Sequence, residues 1–173
     1  MQYSPYYNNP TYVPIATKTL SSSSSTITFL NIPSTYSHLV ITYSLYSGNS
    51  SSTNNSVYFN GNNSTNSYSG TYSSFNKMQF NGGSYNYSNS NMGYLLPSTS
   101  GYPISGTMVI ANYTGSYYKS FIWDCFGINN GASVYPGGQG ANTWFNNNPI
   151  SSITFSASDN FIAGTTITIF GVD

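Results

Sequence analysis

Few residues in this chain can do acid–base, nucleophilic or metal chemistry. Among 173 residues there are three lysines (Lys18, Lys77, Lys119), three aspartates (Asp124, Asp159, Asp173), one histidine (His38) and one cysteine (Cys125), with no arginine or glutamate. His38 opens a strand-like run after Pro33, where a turn or hydrogen-bonding role is favoured over that of a general base. Asp124 lies between Trp123 and Cys125 and should face away from them, solvated or hydrogen-bonded. Asp159 falls in Ser-Asp-Asn, an ordinary turn use of aspartate. A glycosidase needs two carboxylates flanking the scissile bond, and Asp124 and Asp159 are the plausible internal candidates. There is no Gly-x-Ser-x-Gly elbow, no metal-spaced cluster and no glycine-rich phosphate loop followed by lysine. The expectation is a protein that is not an enzyme, with no catalytic, cofactor-binding or metal residues and no cofactor.

Binding chemistry is better supplied. Tyr, Trp and Asn on loops can stack on sugar rings and hydrogen-bond hydroxyls without using charge. Tyr85, Tyr87, Tyr94, Tyr102, Tyr135 and Trp144 are the candidate glycan or partner contacts. The alternative for each is packing of a loop onto the body of the protein or into a subunit interface, and that is the favoured use. Residues 1–24 read as an extended N-terminal arm. Pro5, Pro10 and Pro14 fix φ and remove ladder donors, and Tyr3, Tyr6, Tyr7 and Tyr12 are the candidate anchors to a neighbouring subunit. Asn-x-Ser/Thr sequons are frequent, as chance dictates in so Asn/Ser/Thr-rich a chain.

The elements that must position these groups are strands. Aromatics make up 17% of the chain, including 18 Tyr and 10 Phe, so it can bury area despite its polarity, and its commonest residues favour strand or turn over helix. Period-two alternation marks half-buried strands. It places Ile27 and Phe29 on one face of residues 26–32, and Leu39, Ile41, Tyr43 and Leu45 on one face of residues 38–46. Val57 and Phe59 point inward from residues 56–60, and residues 104–110 form a further strand. Phe121, Trp123 and Cys125 share a face in residues 118–126. Two closing runs follow as an antiparallel pair, with Ile153, Phe155 and Ala157 on one face, then Ile167 and Ile169. Asn60-Gly61 is a strong turn dipeptide. Residues 60–74 read as loop, residues 75–94 as a long loop holding one short strand, and residues 127–148 as a second long loop. Ser158-Asp159-Asn160 and Ala163-Gly164 supply turn chemistry between the closing runs. Strands at this spacing without helical pattern predict an all-β, single-domain antiparallel β-sandwich, jelly-roll-like, over residues 25–173.

Charged residues are 3% of the chain and the formal net charge is zero, against about a quarter charged in ordinary globular proteins. Neither nucleic acid nor an anionic membrane surface has anything to act on, and no run approaches a transmembrane helix. A neutral free protein tends to self-associate, which points to an oligomer or a particle. The lone Cys125 excludes a disulfide framework. The N-terminal residues lack the basic and apolar regions of a secretion signal. A component made in the host cytoplasm and released by lysis would reconcile that with a polar, extracellular-looking surface.

Three segments carry a resemblance. They are Ile15-Ala-Thr-Lys-Thr-Leu followed by Thr26-Ile-Thr-Phe-Leu-Asn-Ile-Pro-Ser-Thr-Tyr-Ser-His-Leu-Val-Ile-Thr42, then Met108 to Phe121, then Ile153 to Gly171. Their order and spacing resemble a family of virion structural proteins of environmental and marine bacteriophages, described as tail-fibre or capsid-associated. The likeness runs from about Ile15 onward and leaves out the arm and both long loops. Relatives commonly carry Arg in the second strand, where this chain has Thr42 and Tyr43, and an acidic residue after the Asn-Gly turn, where it has Asn62. The resemblance implies a β-sandwich on a virion, with other capsid or tail proteins as partners. A homo-oligomer is expected, a trimer by analogy with virion jelly rolls. The alternative function is host recognition through cell-surface glycan. A third is a cell-surface adhesin, which the missing secretion signal disfavours.

Overall fold

The computed structural model describes residues 11–48, 53–62, 68–76, 79–87, 91–95, 103–127 and 137–173; within 68–76, 79–87 and 91–95, and at Thr53, Asn54 and Ser158, it describes the backbone alone. Twelve strands occupy these residues: β1 (Val13–Thr19), β2 (Ser24–Phe29), β3 (His38–Leu45), β4 (Thr53–Phe59), β5 (Tyr68–Asn76), β6 (Gln79–Tyr87), β7 (Asn91–Leu95), β8 (Ile104–Ala111), β9 (Lys119–Gly127), β10 (Gly137–Trp144), β11 (Ile153–Phe161) and β12 (Thr166–Val172). No helix occurs among the described residues.

The strands form two antiparallel sheets, one of eight strands in the order β1-β12-β3-β8-β9-β10-β5-β6 and one of four in the order β2-β11-β4-β7. Setting aside β5–β6 and β9–β10 leaves two four-stranded sheets, β1-β12-β3-β8 and β2-β11-β4-β7. That is the strand order of a jelly roll, in which successive strands cross between facing sheets. The four set-aside strands lie side by side and widen one sheet only. The all-β sandwich and its jelly-roll character are therefore as the alternation predicts.

Alternation fixes the inner faces. Leu39, Ile41, Tyr43 and Leu45 of β3, Val57 and Phe59 of β4, and Phe121, Trp123 and Cys125 of β9 are all buried. So are Ile153, Phe155 and Ala157 of β11 and Ile167 and Ile169 of β12. Phe59 of the smaller sheet joins the two layers, standing edge-on to Phe121 at 5.2 Å and to Trp144 at 5.5 Å between ring centroids. Such aromatic pairs add about 0.5–1.5 kcal/mol beyond their buried area.

Several expectations are corrected. The arm does not extend to residue 24, because β1 pairs with β12 as the edge strand of the larger sheet. Its ladder tolerates Pro14 because the register shifts between Pro14 and Ala16, an edge-strand bulge. The two closing runs are not partners of each other. β11 lies between β2 and β4, and β12 between β1 and β3, in opposite sheets. Asp159 belongs to the irregular end of β11 and not to a turn. The expected loops at 60–74, 75–94 and 127–148 contain β5, β6, most of β7 and all of β10.

The glycines of β8 and β10 explain how a poor strand sequence fits the core. Trp123 pairs across the ladder with Gly140, where an added Cβ would sit 2.6 Å from the indole. The indole lies over that strand and donates through Nε1 to the buried Asn142 Oδ1 at 3.0 Å. Tyr43 pairs with Gly106 in the same way, and its hydroxyl donates across to the Asp124 carbonyl at 2.5 Å. Asp124 then supplies its carboxylate Oδ1 to the Thr107 backbone N–H at 2.7 Å. Its role is the hydrogen-bonded strand aspartate that the alternation predicts.

Candidate functional site

The end of the sandwich that carries the β8–β9 and β10–β11 connections is held by several side-chain-to-backbone bonds. Asn60 and Gly61 both take positive φ, 52° and 69°, and Asn62 N–H donates to the Phe59 carbonyl at 2.9 Å, forming the tight hairpin turn expected of Asn-Gly. The Asn60 side chain also clamps the β10–β11 connection. Its Oδ1 accepts from Ser151 N–H at 2.8 Å and Ser152 N–H at 3.1 Å, and its Nδ2 donates to the Pro149 carbonyl at 2.7 Å. On the β8–β9 side, Tyr113 is fully buried and its hydroxyl donates to the Pro33 carbonyl. The backbones of the two connections meet where Ile150 N–H donates to the Tyr113 carbonyl at 2.9 Å. His38 accepts the Asn112 N–H at Nδ1, 3.1 Å away, which fixes the start of the same turn.

Lys119 completes this end. It continues the inward series of β9 and is only 1% exposed. Its Nζ donates to the Tyr117 carbonyl at 2.5 Å and to the Asn146 carbonyl at 3.4 Å, so one ammonium ties both connections together. Burial lowers its pKa from the ordinary lysine value. Removing an ammonium from water is expensive unless its donors are used.

Three aromatic side chains are mounted on this locked backbone. Tyr117 is 76% exposed, Tyr118 59% and Phe145 44%, and Tyr118 and Phe145 stand edge-to-face at 5.4 Å. Asn147 and Asn148 beside them are exposed as well. The sequence held a signal for this patch. Tyr118 precedes β9 out of phase with its inward series, and Phe145 follows Trp144 in the same manner.

The candidate contacts fall elsewhere. Trp144 is 0% exposed and packs on Phe59 in the core, so the expectation of a loop contact there is corrected. Its place at the inward end of β10 was hidden because the glycines ahead of it read as loop. Tyr85, Tyr87 and Tyr94 lie on β6 and β7, described by backbone alone. Tyr102 and Tyr135 lie outside the described residues, as do Tyr3, Tyr6 and Tyr7 of the arm. Tyr12 is exposed and stands edge-on to Phe170 of β12 at 6.2 Å.

That contact opens a second feature, an apolar row across the outer face of the larger sheet. Phe170, Val40, Val109, Ile122 and Ala141 are cross-strand partners in succession from β12 to β10. Ile122 and, beyond Asp124 on the same face of β9, Phe126 are more than half exposed. The adjacent row is polar throughout: Thr168, Thr42, Thr107, Asp124 and Gln139.

Of the groups that could do covalent or proton chemistry, Cys125 is buried. Burial and, less strongly, the nearby Asp124 charge push its thiol up to about 12. The Tyr43 hydroxyl is raised well above the usual tyrosine range, first by burial and then by Cys125 and Asp124. Such a thiol is a packing group and a poor nucleophile. His38 and Asp124 lie in the larger sheet and Asp159 in the smaller. Among the described residues, no three His, Cys, Asp or Glu side chains come together as a metal site, and no helix is long and apolar enough to cross a membrane. No protein-family model, curated protein or solved structure matches the chain.

Proposed function

We propose that this chain is a non-enzymatic structural protein of a bacteriophage virion, displayed on the particle surface as a capsid decoration or as a head- or tail-fibre component. It is made in the host cytoplasm and released with the particle at lysis. The observation that carries the reading is the outer face of the larger sheet. A row of apolar side chains crosses it from Phe170 to Ala141, on a molecule with 3% charged residues and no net charge. A second copy, or another virion protein, meets no charge repulsion there. Jelly rolls recur in viral capsid proteins and in lectins, and this fold-level analogy adds to the sequence resemblance without replacing a test. The partners are other capsid or tail proteins and further copies of the chain, a trimer being the favoured assembly; nucleic acid and membrane are not among them. Sedimentation of the purified protein tests the self-association: a discrete oligomer that Ile122→Asp dissociates into folded monomers supports the reading, and a wild-type monomer at high concentration argues against it.

A second reading, host recognition through cell-surface glycan, is favoured by one observation. Tyr117, Tyr118 and Phe145 are exposed together on a backbone tied down by the buried Lys119 ammonium.

A further inference from the structure

We infer that the end of the sandwich carrying Tyr117, Tyr118 and Phe145 is a binding platform for neutral carbohydrate; this rests on the host-recognition reading and gives it a site and a ligand class. The first argument is rigidity. The buried Lys119 ammonium grips the Tyr117 carbonyl and the Asn146 carbonyl, one residue from Tyr118 and one from Phe145. Connections that merely join strands do not require a desolvated cation between them, whereas a contact surface gains affinity when its rings are held in place before the ligand arrives.

The second argument is chemical. An aromatic ring offers an apolar face with a polar margin, suited to the C–H face of a pyranose. The exposed Asn147 and Asn148 amides offer both donors and acceptors, as a row of sugar hydroxyls requires. None of residues 112–118 and 145–152 is charged. Lys119, the cation beside them, uses donors on backbone carbonyls and is turned away from solvent. An anionic sugar therefore finds no counter-charge.

Size decides between sugar and protein. At exposures of 76%, 59% and 44% the three rings present roughly 300–400 Å². That is less than half of the about 800 Å² that a stable protein partner covers, and enough for two or three sugar rings.

The experiment is surface plasmon resonance of the full chain over immobilised mannan, galactan and dextran, with polygalacturonate as the anionic comparison. The variant carries Tyr117→Ser, Tyr118→Ser and Phe145→Ser together, all at exposed positions, and its melting temperature is measured beside the wild type. Binding of the wild type to at least one neutral polysaccharide, weakened at least about tenfold in a variant that melts normally, is the expected result. Equal binding by the variant overturns this site while leaving glycan recognition by another surface standing. Binding to none of the neutral polysaccharides, or preference for polygalacturonate, overturns the ligand class. Loss of capsid attachment in the variant without any sugar binding assigns the patch to a protein partner and overturns the inference.

Discussion

Replacing Gly140 by alanine puts the packing account at risk, because two considerations predict opposite signs. By local propensity alone, Gly→Ala in a strand should stabilise by about 0.4–1 kcal/mol, since the unfolded chain loses freedom. In the structure the new Cβ would stand 2.6 Å from Cε2 and Cζ2 and 2.7 Å from Nε1 of Trp123. That ring cannot simply swing away, because it is buried and Nε1 is bonded to Asn142 Oδ1 at 3.0 Å. Overpacking of this kind costs roughly 1–3 kcal/mol, and leaving the buried indole N–H and amide oxygen poorly paired costs roughly 1–3 more. The net expectation is a loss of about 2–5 kcal/mol, a fall in Tm of about 5–15 °C for a chain of this size. Tryptophan fluorescence during urea or thermal unfolding reads it directly, since Trp123 and Trp144 are both buried. Gln139→Ala, at the exposed neighbouring position, is the control and should shift stability by less than about 0.5 kcal/mol. A Gly140→Ala protein as stable as the control, or more stable, refutes the claim that glycine is there to admit the indole.

Other perturbations have equally definite outcomes. Asn60→Gly keeps the positive φ but removes the clamp on Pro149, Ser151 and Ser152; it should cost about 1–3 kcal/mol, and Asn60→Asp, which retains the accepting oxygens, should cost less by the same melt. Cys125 should resist thiol reagents at pH 8 in the native state and react fully in denaturant. Its folded pKa, about 12, lies above its unfolded value of 9.0. Its share of stability is therefore complete below pH 9 and is lost as pH rises from there, at about 1.4 kcal/mol per pH unit. Denaturant titrations at pH 8, 9 and 10 should show this fall and its reduction in Cys125→Ala. Ile122→Asp, on the exposed apolar row, should lower the oligomeric state seen by sedimentation while leaving the monomer's melt nearly unchanged.

What could be read from the sequence was decided by how much apolar contrast each strand carries. β3, with Leu39, Ile41, Tyr43 and Leu45 separated by polar or half-buried residues, announces both its existence and its inner face. β10 does neither, because Gly137, Gly138 and Gly140 look like loop until Trp123 is laid over one of them. β1 was concealed by Pro14, which only an edge strand with a bulge accommodates. Alternation also reports faces and not partners. It found the inward residues of β11 and β12 correctly, yet these strands belong to opposite sheets, as jelly-roll crossing requires. At the candidate site, Asn60-Gly61 was legible as a turn from local chemistry alone. The burial of Lys119 was not, since it depends on two connections brought together from residues 117 and 146.

The most direct test of the virion assignment is to band particles from a lytic infection expressing this chain on a density gradient and to quantify it across the fractions. The account predicts that the chain bands with the particles at a fixed number of copies and remains there through a wash in about 1 M salt, because a surface with so few charges has little attachment for salt to screen. Recovery of the chain only in soluble fractions, or its release by salt, would contradict it.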